Sequence, residues 1–203
     1  MIFDKRLLYI SKAASTDFSS QEIHFVKIED NTAVATNGHI MFWADFDTEQ
    51  KLEYESSIPE DKLVSDYIVN PELIKMAFKI SANNSKRDLA ALNKISIRAK
   101  IDMVEIYARS RGNDYFLRHK LEIGSSWIYP NWYKVVDKFK DTVPVDKISL
   151  DANYLKMVSE TGLSGVRGIT FTFHGQNNGA TFTFQDSQSK TVNGLIMPHR
   201  NEE

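Results

Sequence analysis

The sequence predicts an α+β protein made of repeated units, each a short amphipathic helix followed by antiparallel strands. Three observations predict it. An apolar stripe at helical spacing is followed by short alternating or β-branched runs, and this order occurs about three times along the chain. Turn chemistry such as Asn37-Gly38 and Arg111-Gly112-Asn113 separates the runs and closes hairpins. With 42% hydrophobic and 26% charged residues over 203 positions, the chain has the composition of a packed globular protein rather than a disordered or fibrous one.

The first unit opens on an amphipathic helix from Met1 to Ser15, with Leu7, Leu8, Ile10 and Ala14 at helical spacing and Lys5, Arg6 and Lys12 left to solvent or to an anion. Ile23 to Lys27 alternates apolar and polar residues, Glu29-Asp30-Asn31 turns the chain, and Ala33 to Ala35 returns it. After Asn37-Gly38, Ile40 to Phe46 gives another strand of the same sheet. In the second unit Tyr67 to Val69 is a short strand, Asn70 caps a helix with Pro71 at its first position, and Leu73, Ile74, Ala77 and Phe78 form its stripe. Beyond a polar loop from Ser81 to Asp88, the strands are Ile95 to Ala99, Met103 to Ala108 and Tyr115 to Ile123.

The third unit begins with a strand at Ile148 to Leu150 and a helix capped by Asp151 with the stripe Tyr154, Leu155 and Val158. Its strands are Ile169 to Phe173, Ala180 to Phe184 and Gly194 to Met197. Between the second and third units, Val135, Val136 and Phe139 make a short helical stripe suited to covering an open core face. Tyr115 to Ile123 and Ala180 to Phe184 are the expected sheet edges.

Composition narrows the function. A formal charge of -2 provides no overall positive field to hold the chain on phosphates, so nucleic-acid contact requires local segregation of charge. The chain has no cysteine, which removes disulfides, thiolate catalysis and Cys-ligated zinc and fits a reducing, cytoplasmic setting. No apolar run approaches the roughly 18 to 20 residues that cross a bilayer, so no membrane association is expected.

Four short segments carry a family resemblance. Ala35-Thr36-Asn37-Gly38-His39 looks like the ATDGH segment of bacterial sliding clamps. Tyr129-Pro130-Asn131-Trp132-Tyr133-Lys134-Val135 is similar to their FPDYRRV linker, Asp151-Ala152-Asn153-Tyr154-Leu155 resembles the start of the last helical segment, and Ile196-Met197-Pro198-His199-Arg200 resembles the VMPMR terminus. Each motif is short, but together they occur in the family's order and spacing. On these residues the chain resembles the bacterial-type DNA sliding clamp, the DNA polymerase III beta subunit family, in a shortened form.

The resemblance implies the DNA-clamp fold, with about three helix-plus-strand units where a family subunit has six. Residues 1–128 correspond to a complete clamp-like domain, 129–147 to a linker, and 148–203 to a half domain carrying the C-terminal pocket segment. It implies a partner-peptide pocket lined by Thr36, Gly38, His39 and Met41, by Pro130, Lys134 and Val135, and by Leu195, Met197, Pro198, His199 and Arg200. Apolar Met41, Val135, Leu195 and Met197 suit leucine or phenylalanine anchors, and His39 or Arg200 suits the peptide backbone or an acidic group. Two departures bear on motif preference: Ile40 stands where the family has a basic residue, and His199 replaces its second terminal methionine. The DNA-facing candidates are Lys5, Arg6, Lys12, Lys75, Lys79, Lys86, Arg87, Lys156 and Arg167, making loose phosphate contacts that carry no sequence information.

Each segment also has a plainer reading. Asn37-Gly38 suits an ordinary hairpin corner, Trp132 and Tyr133 suit aromatic packing over a core edge, the terminal Met-Pro-His-Arg suits a frayed tail, and the Lys and Arg residues suit a solvated helix face. No catalytic constellation is present: His24, His39, His119, His174 and His199 lack paired-ligand spacing, and there is no phosphate loop or nucleophile elbow. Gly162-Leu163-Ser164-Gly165 matches a nucleic-acid GXXG loop but equally suits a Gly-rich helix stop. The resemblance, with no catalytic motif beside it, implies a non-enzymatic, cofactor-free and metal-free replication accessory from a phage or mobile element. Its expected partners are a DNA polymerase or other clamp-binding-motif proteins, duplex DNA, and further copies of itself in a ring. The alternatives are a clamp mimic without a ring and, in another class, a small metal hydrolase using Asp45 and Asp47 with His24 or His39.

Overall fold

Residues 1–17, 23–47, 66–82, 94–100, 103–110, 113–120, 128–139, 141–145, 147–161, 163 and 165–199 are described by the computed structural model. The elements in chain order are β1 (Ile2–Phe3), α1 (Lys5–Ile10), a 3₁₀ turn at Ser11–Ala13, β2 (Val26–Glu29), β3 (Thr32–Thr36), β4 (Ile40–Asp45), β5 (Asp66–Val69) and α2 (Pro71–Ala82). They continue as β6 (Ile95–Lys100), β7 (Met103–Ser110), β8 (Asn113–Lys120), α3 (Trp132–Asp137), α4 (Ala152–Ser159), β9 (Thr170–Phe173), β10 (Ala180–Gln185) and β11 (Thr191–Ile196). Two antiparallel sheets result, one ordered β1-β6-β7-β8 and the other β5-β2-β3-β4-β11-β10-β9. The mixed helix and antiparallel-sheet class is the expected one.

Local chemistry starts the helices. The Asp4 carboxylate accepts from Arg6 N at 3.0 Å, Asn70 Oδ1 from Glu72 N at 2.8 Å, and Asp151 Oδ1 from Asn153 N at 2.7 Å, so each side chain satisfies an amide that has no partner within the helix. α2 buries Ile74, Ala77 and Phe78, and α4 buries Val158. On β4, the alternate residues Ile40, Phe42 and Ala44 join the main core, while Met41 belongs to a second, smaller core on the opposite face. β3 is buried throughout because both faces are covered.

The third unit is welded to the first. Tyr9 of α1 stacks on Phe42 of β4 at 4.6 Å, meets Phe184 of β10 edge-on at 5.3 Å, and donates its hydroxyl to Val158 O of α4 at 3.1 Å. Phe182 of β10 lies over Gly194 of β11, where an added Cβ would stand 2.0 Å from its ring, so only glycine admits that ring into the core. Each fully buried large apolar side chain contributes on the order of 1.5–3 kcal/mol, and Phe42, Phe182 and Phe184 come from both ends of the sequence.

Several expectations need correction. Met1 to Ser15 is not one helix: Ile2 and Phe3 pair with Ser96 and Ile95 as an edge strand, which sets Phe3 into the main core and leaves Ile2 buried outside it. Ile148 to Leu150 forms no strand, and Ser149 O instead accepts from His199 N at 2.8 Å. Ala180 to Phe184 is no edge, since β10 lies between β9 and β11. β8 is an edge among the described residues and runs Asn113–Lys120, with 121–123 lying outside them. β2 begins at Val26 rather than Ile23, and β11 extends back to Thr191.

Candidate functional site

The proposed peptide site builds up from a hairpin corner. Thr36 Oγ1 donates to Ile40 O at 2.8 Å and accepts from Gly38 N at 3.0 Å, while Asn37 Oδ1 accepts from both His39 N and Ile40 N at 3.0 Å. Gly38 has φ +88 with open space where a Cβ would stand, so its backbone angle rather than crowding calls for glycine. The corner holds the C-terminal segment: Met197 N donates to His39 O at 2.8 Å. The His39 ring stacks with Tyr154 of α4 at 6.2 Å and 20°, so the corner, α4 and the C-terminal segment meet at one place.

The linker closes the outer side. Asn131 Oδ1 accepts from Lys134 N at 3.1 Å and starts α3, which directs Trp132 inward onto Val34, Met41 and Leu195. Trp43, Tyr129, Val136 and Phe139 complete that small core. Tyr129 donates its hydroxyl to Val34 O at 3.4 Å, burial pushes that hydroxyl's pKa up, and Trp132 Nε1 donates to Glu29 Oε2 at 3.4 Å. The expected covering stripe is formed by Val136 and Phe139, while Val135 faces solvent.

The sequence-derived site residues thus divide by exposure. Met41 and Leu195 form a floor sealed beneath Trp132, with 4% and 3% exposure, and Thr36 is buried as a turn strut. Val135 at 37% and Met197 at 36% are the apolar groups presented to solvent, flanked by exposed Gly38, His39, Pro130, Lys134 and His199 and half-buried Pro198. Arg200 lies outside the described residues. Tyr133, which sequence reasoning did not assign to the site, stands exposed against Trp132 at 3.6 Å. Tyr154 was visible only as part of an apolar stripe, because its contact with His39 joins distant segments.

The cationic candidates also separate. Arg6 is corrected from a DNA-facing to a structural residue: it is 4% exposed, bonds the Asp4 carboxylate at 3.0 Å, donates to Asp45 O at 2.9 Å and Thr191 O at 3.2 Å, and lies over the Phe46 ring at 4.5 Å. Burial opposes the Asp4 carboxylate, but hydrogen bonds from Arg6 and Lys190 outweigh it and hold the carboxyl below the usual range. Lys12 donates to Glu160 O at the end of α4. Burial pushes the Lys12 pKa down, partly offset by the Glu160 charge. Lys75 pairs with Glu72 at 3.5 Å and Lys156 with Glu160 at 3.9 Å, both exposed. Lys79 is exposed near the end of α2, and Lys5 is half-buried on α1. Arg167 lines a groove beside β9 and β10 with Thr183 and Gln185. Lys86 and Arg87 lie outside the described residues.

Asp45 and His39 stand at opposite ends of β4, with the Asp45 carboxylate accepting from Thr32 Oγ1 at 2.6 Å. Among the described residues no three His, Asp or Glu side chains gather as a metal site, and no helix is long and apolar enough to cross a membrane.

Helices α1, α2 and α4 backed by antiparallel sheets, with a linker and C-terminal segment joining at the β4–β11 seam, define the DNA-clamp fold. Solved structures that share it include bacterial DNA polymerase III beta subunits. The Thermotoga maritima beta subunit superposes with a TM-score of 0.64 at 11% identity, over 100% of this chain and 65% of that one. The Caulobacter crescentus beta subunit gives 0.59 at 16% identity, over 99% and 65%. The Bartonella birtlesii sliding clamp bound to griselimycin gives 0.63 at 14% identity, over 98% and 66%. The chain therefore has the bacterial sliding-clamp fold and spans about 65% of the length of these structures. No protein-family model and no curated protein matches the sequence.

Proposed function

We propose that this chain is a sliding-clamp-like accessory of DNA replication, without catalytic activity of its own, that captures short linear peptides of a polymerase or other replication partner. The observation that carries the reading is the junction at His39, where the hairpin corner, the C-terminal segment and α4 converge beside the linker helix. A peptide lying across that junction meets Val135 and Met197 as adaptable apolar contacts, while the exposed His39 and Lys134 supply polar ones. The buried Trp132, Met41 and Leu195 hold the floor rigid, which lowers the ordering cost of binding. DNA is the second partner, met through exposed lysines such as Lys75, Lys79 and Lys156 on α2 and α4, and self-association into a ring around the duplex is the fuller form of the reading.

A clamp mimic that keeps the peptide site without a ring is the second reading. It is favoured by the edge of the longer sheet, where Val143 N donates to Phe173 O at 3.2 Å and bridges His174, leaving the end of β9 already occupied. Calorimetric titration with a short peptide carrying a Leu-Phe anchor tests the shared core of both. Binding that weakens at least about tenfold in Met197→Asp and Val135→Asp, both exposed positions, supports the site. No binding by the unaltered chain overturns it.

A further inference from the structure

We propose that the groove between the loop at 165–168 and the end of β10 is a binding site for a small sugar phosphate, held by the Arg167 guanidinium and the Gly168 backbone. β10 runs to Gln185, whereas β9 begins at Thr170 opposite Thr183, so among the described residues the last two positions of β10 have no strand beside them on that side. Residues of the loop before β9 and of the turn after β10 line the resulting groove, which has a volume of about 630 Å³. Its two walls are fixed to one another. Gly165 has φ +76, and a Cβ there would stand 2.5 Å from Ser187 Cβ, so glycine is what lets the loop close on the turn. That contact is the role of the last residue in the Gly162-Leu163-Ser164-Gly165 motif, of which Gly162 and Ser164 lie outside the described residues.

The lining selects the ligand. Gly168 has no left-handed backbone angle, and a Cβ there would meet nothing within 4 Å, so neither conformation nor packing calls for glycine at that position. A glycine that lines a groove without a structural need lets a ligand approach the backbone closely. Arg167 beside it is exposed and, among the described residues, pairs with no carboxylate. The carboxylate that borders the groove, Asp186, is turned into its own hairpin, where Oδ1 accepts from Gln188 N at 2.8 Å and Lys190 N at 3.0 Å. The guanidinium is therefore available as a fork for two oxygens of an anion. A phosphate monoester brings three acceptor oxygens, and the exposed hydroxyls of Thr170, Ser187 and Ser189 stand ready for what Arg167 and Gly168 leave unbonded. The groove is larger than a bare phosphate, and its remaining wall is polar. Gln185 Nε2 donates to Thr191 Oγ1 at 3.4 Å, which leaves Oε1 for a hydroxyl donor. Phe184 also borders the groove but is 3% exposed, with its ring edge-on to Tyr9 in the core, so it offers no face for a base to stack on. The match is to a phosphate carried on a small, polyhydroxylated sugar.

Magnetic resonance titration of the isotope-labelled full chain with ribose 5-phosphate tests this, read at the Gly168 amide and the Arg167 Nε. Saturable shifts at both positions are expected, with a Kd on the order of 1 mM, as suits a solvent-open groove with a single available cation. Ribose without its phosphate should bind at least about tenfold more weakly, and Arg167→Gln should weaken ribose 5-phosphate by a similar factor. Gly168→Val should also weaken it about tenfold while leaving the thermal midpoint unchanged, because a side chain there enters open space. Lys79→Ala, on α2, should leave the titration as it was. An absence of shifts at about 10 mM ribose 5-phosphate overturns the proposal. So does undiminished binding in Arg167→Gln or Gly168→Val, and inorganic phosphate binding as tightly as the ester overturns the sugar part. A single-stranded oligonucleotide that shifts Gly168 where ribose 5-phosphate does not overturns it as well, and returns Arg167 to the residues that face a nucleic-acid backbone. None of these readings depends on peptide capture, so failure here leaves the peptide site to its own titration.

Discussion

Met41 on β4 stands directly opposite Leu195 on β11, and this pair joins the first unit of the chain to its last. Both side chains point away from the main core into the small one that Trp132 closes. The linker, the first unit and the final strand are therefore held by one apolar contact set, next to the surface where Val135 and Met197 are exposed.

Trp132→Ala removes the lid of that small core. Losing a buried tryptophan costs about 3 kcal/mol or more, and chemical denaturation should show this as a lower midpoint with little change in slope. The same variant should bind the Leu-Phe peptide more weakly, because its floor is no longer rigid. Retained stability would mean that α3 does not pack on Met41 and Leu195.

Gly194→Ala places a methyl group where the Phe182 ring lies. Overpacking of this kind costs roughly 1–3 kcal/mol, read as a fall in thermal midpoint. Pairing it with Phe182→Leu, which vacates part of the space, should recover some of the loss relative to the sum of the single changes.

Arg6 and Lys79 should separate structure from DNA contact. Arg6→Ala leaves Asp4 with only part of its hydrogen bonding and should cost about 3 kcal/mol, while the salt dependence of any duplex binding by the folded fraction stays as it was. Lys79→Ala should leave stability within about 0.5 kcal/mol and reduce the steepness with which added salt weakens duplex binding. Salt-independent binding in the unaltered chain would remove the phosphate face from the proposal.

Asp4 gives a pH test. Its carboxyl is held below the ordinary 3.8, so the ionised form is favoured in the folded chain. A depressed carboxyl contributes stability that is fully present above the unfolded value and is lost as pH falls through the folded one. Stability of the unaltered chain should therefore drop as pH falls below 3.8, and Asp4→Asn should be about 2 kcal/mol less stable at neutral pH with a flatter acid limb in denaturation profiles. An unchanged acid limb in Asp4→Asn would show that other carboxylates dominate it.

Much of the fold was legible because its signals are local. Asn70 with Pro71 and Asp151 mark helix starts through side chains that reach amides two residues away, and Asn37-Gly38 marks its corner through a positive φ. The strands at Ala33 to Ala35, Ile40 to Phe46 and Met103 to Ala108 fall where β-rich runs indicate. Ile2 and Phe3 look helical in sequence because their strand partners, Ser96 and Ile95, are remote along the chain. Arg6 looks exposed in sequence because helical spacing alone does not reveal the carbonyls of Asp45 and Thr191 that receive its guanidinium.

Residue order alone carries the repeated helix-and-strand order, the capping and turn positions, the lack of thiol chemistry and the segments that resemble a clamp's peptide site. Tertiary packing was needed to show that β4 pairs with β11, that Trp132 seals Met41 and Leu195 while Val135 and Met197 stay exposed, and that among the described residues β8 rather than β10 is a sheet edge. The division has one physical reason: periodicity and capping are interactions within a few residues, whereas strand order and exposure depend on which distant segments share a core.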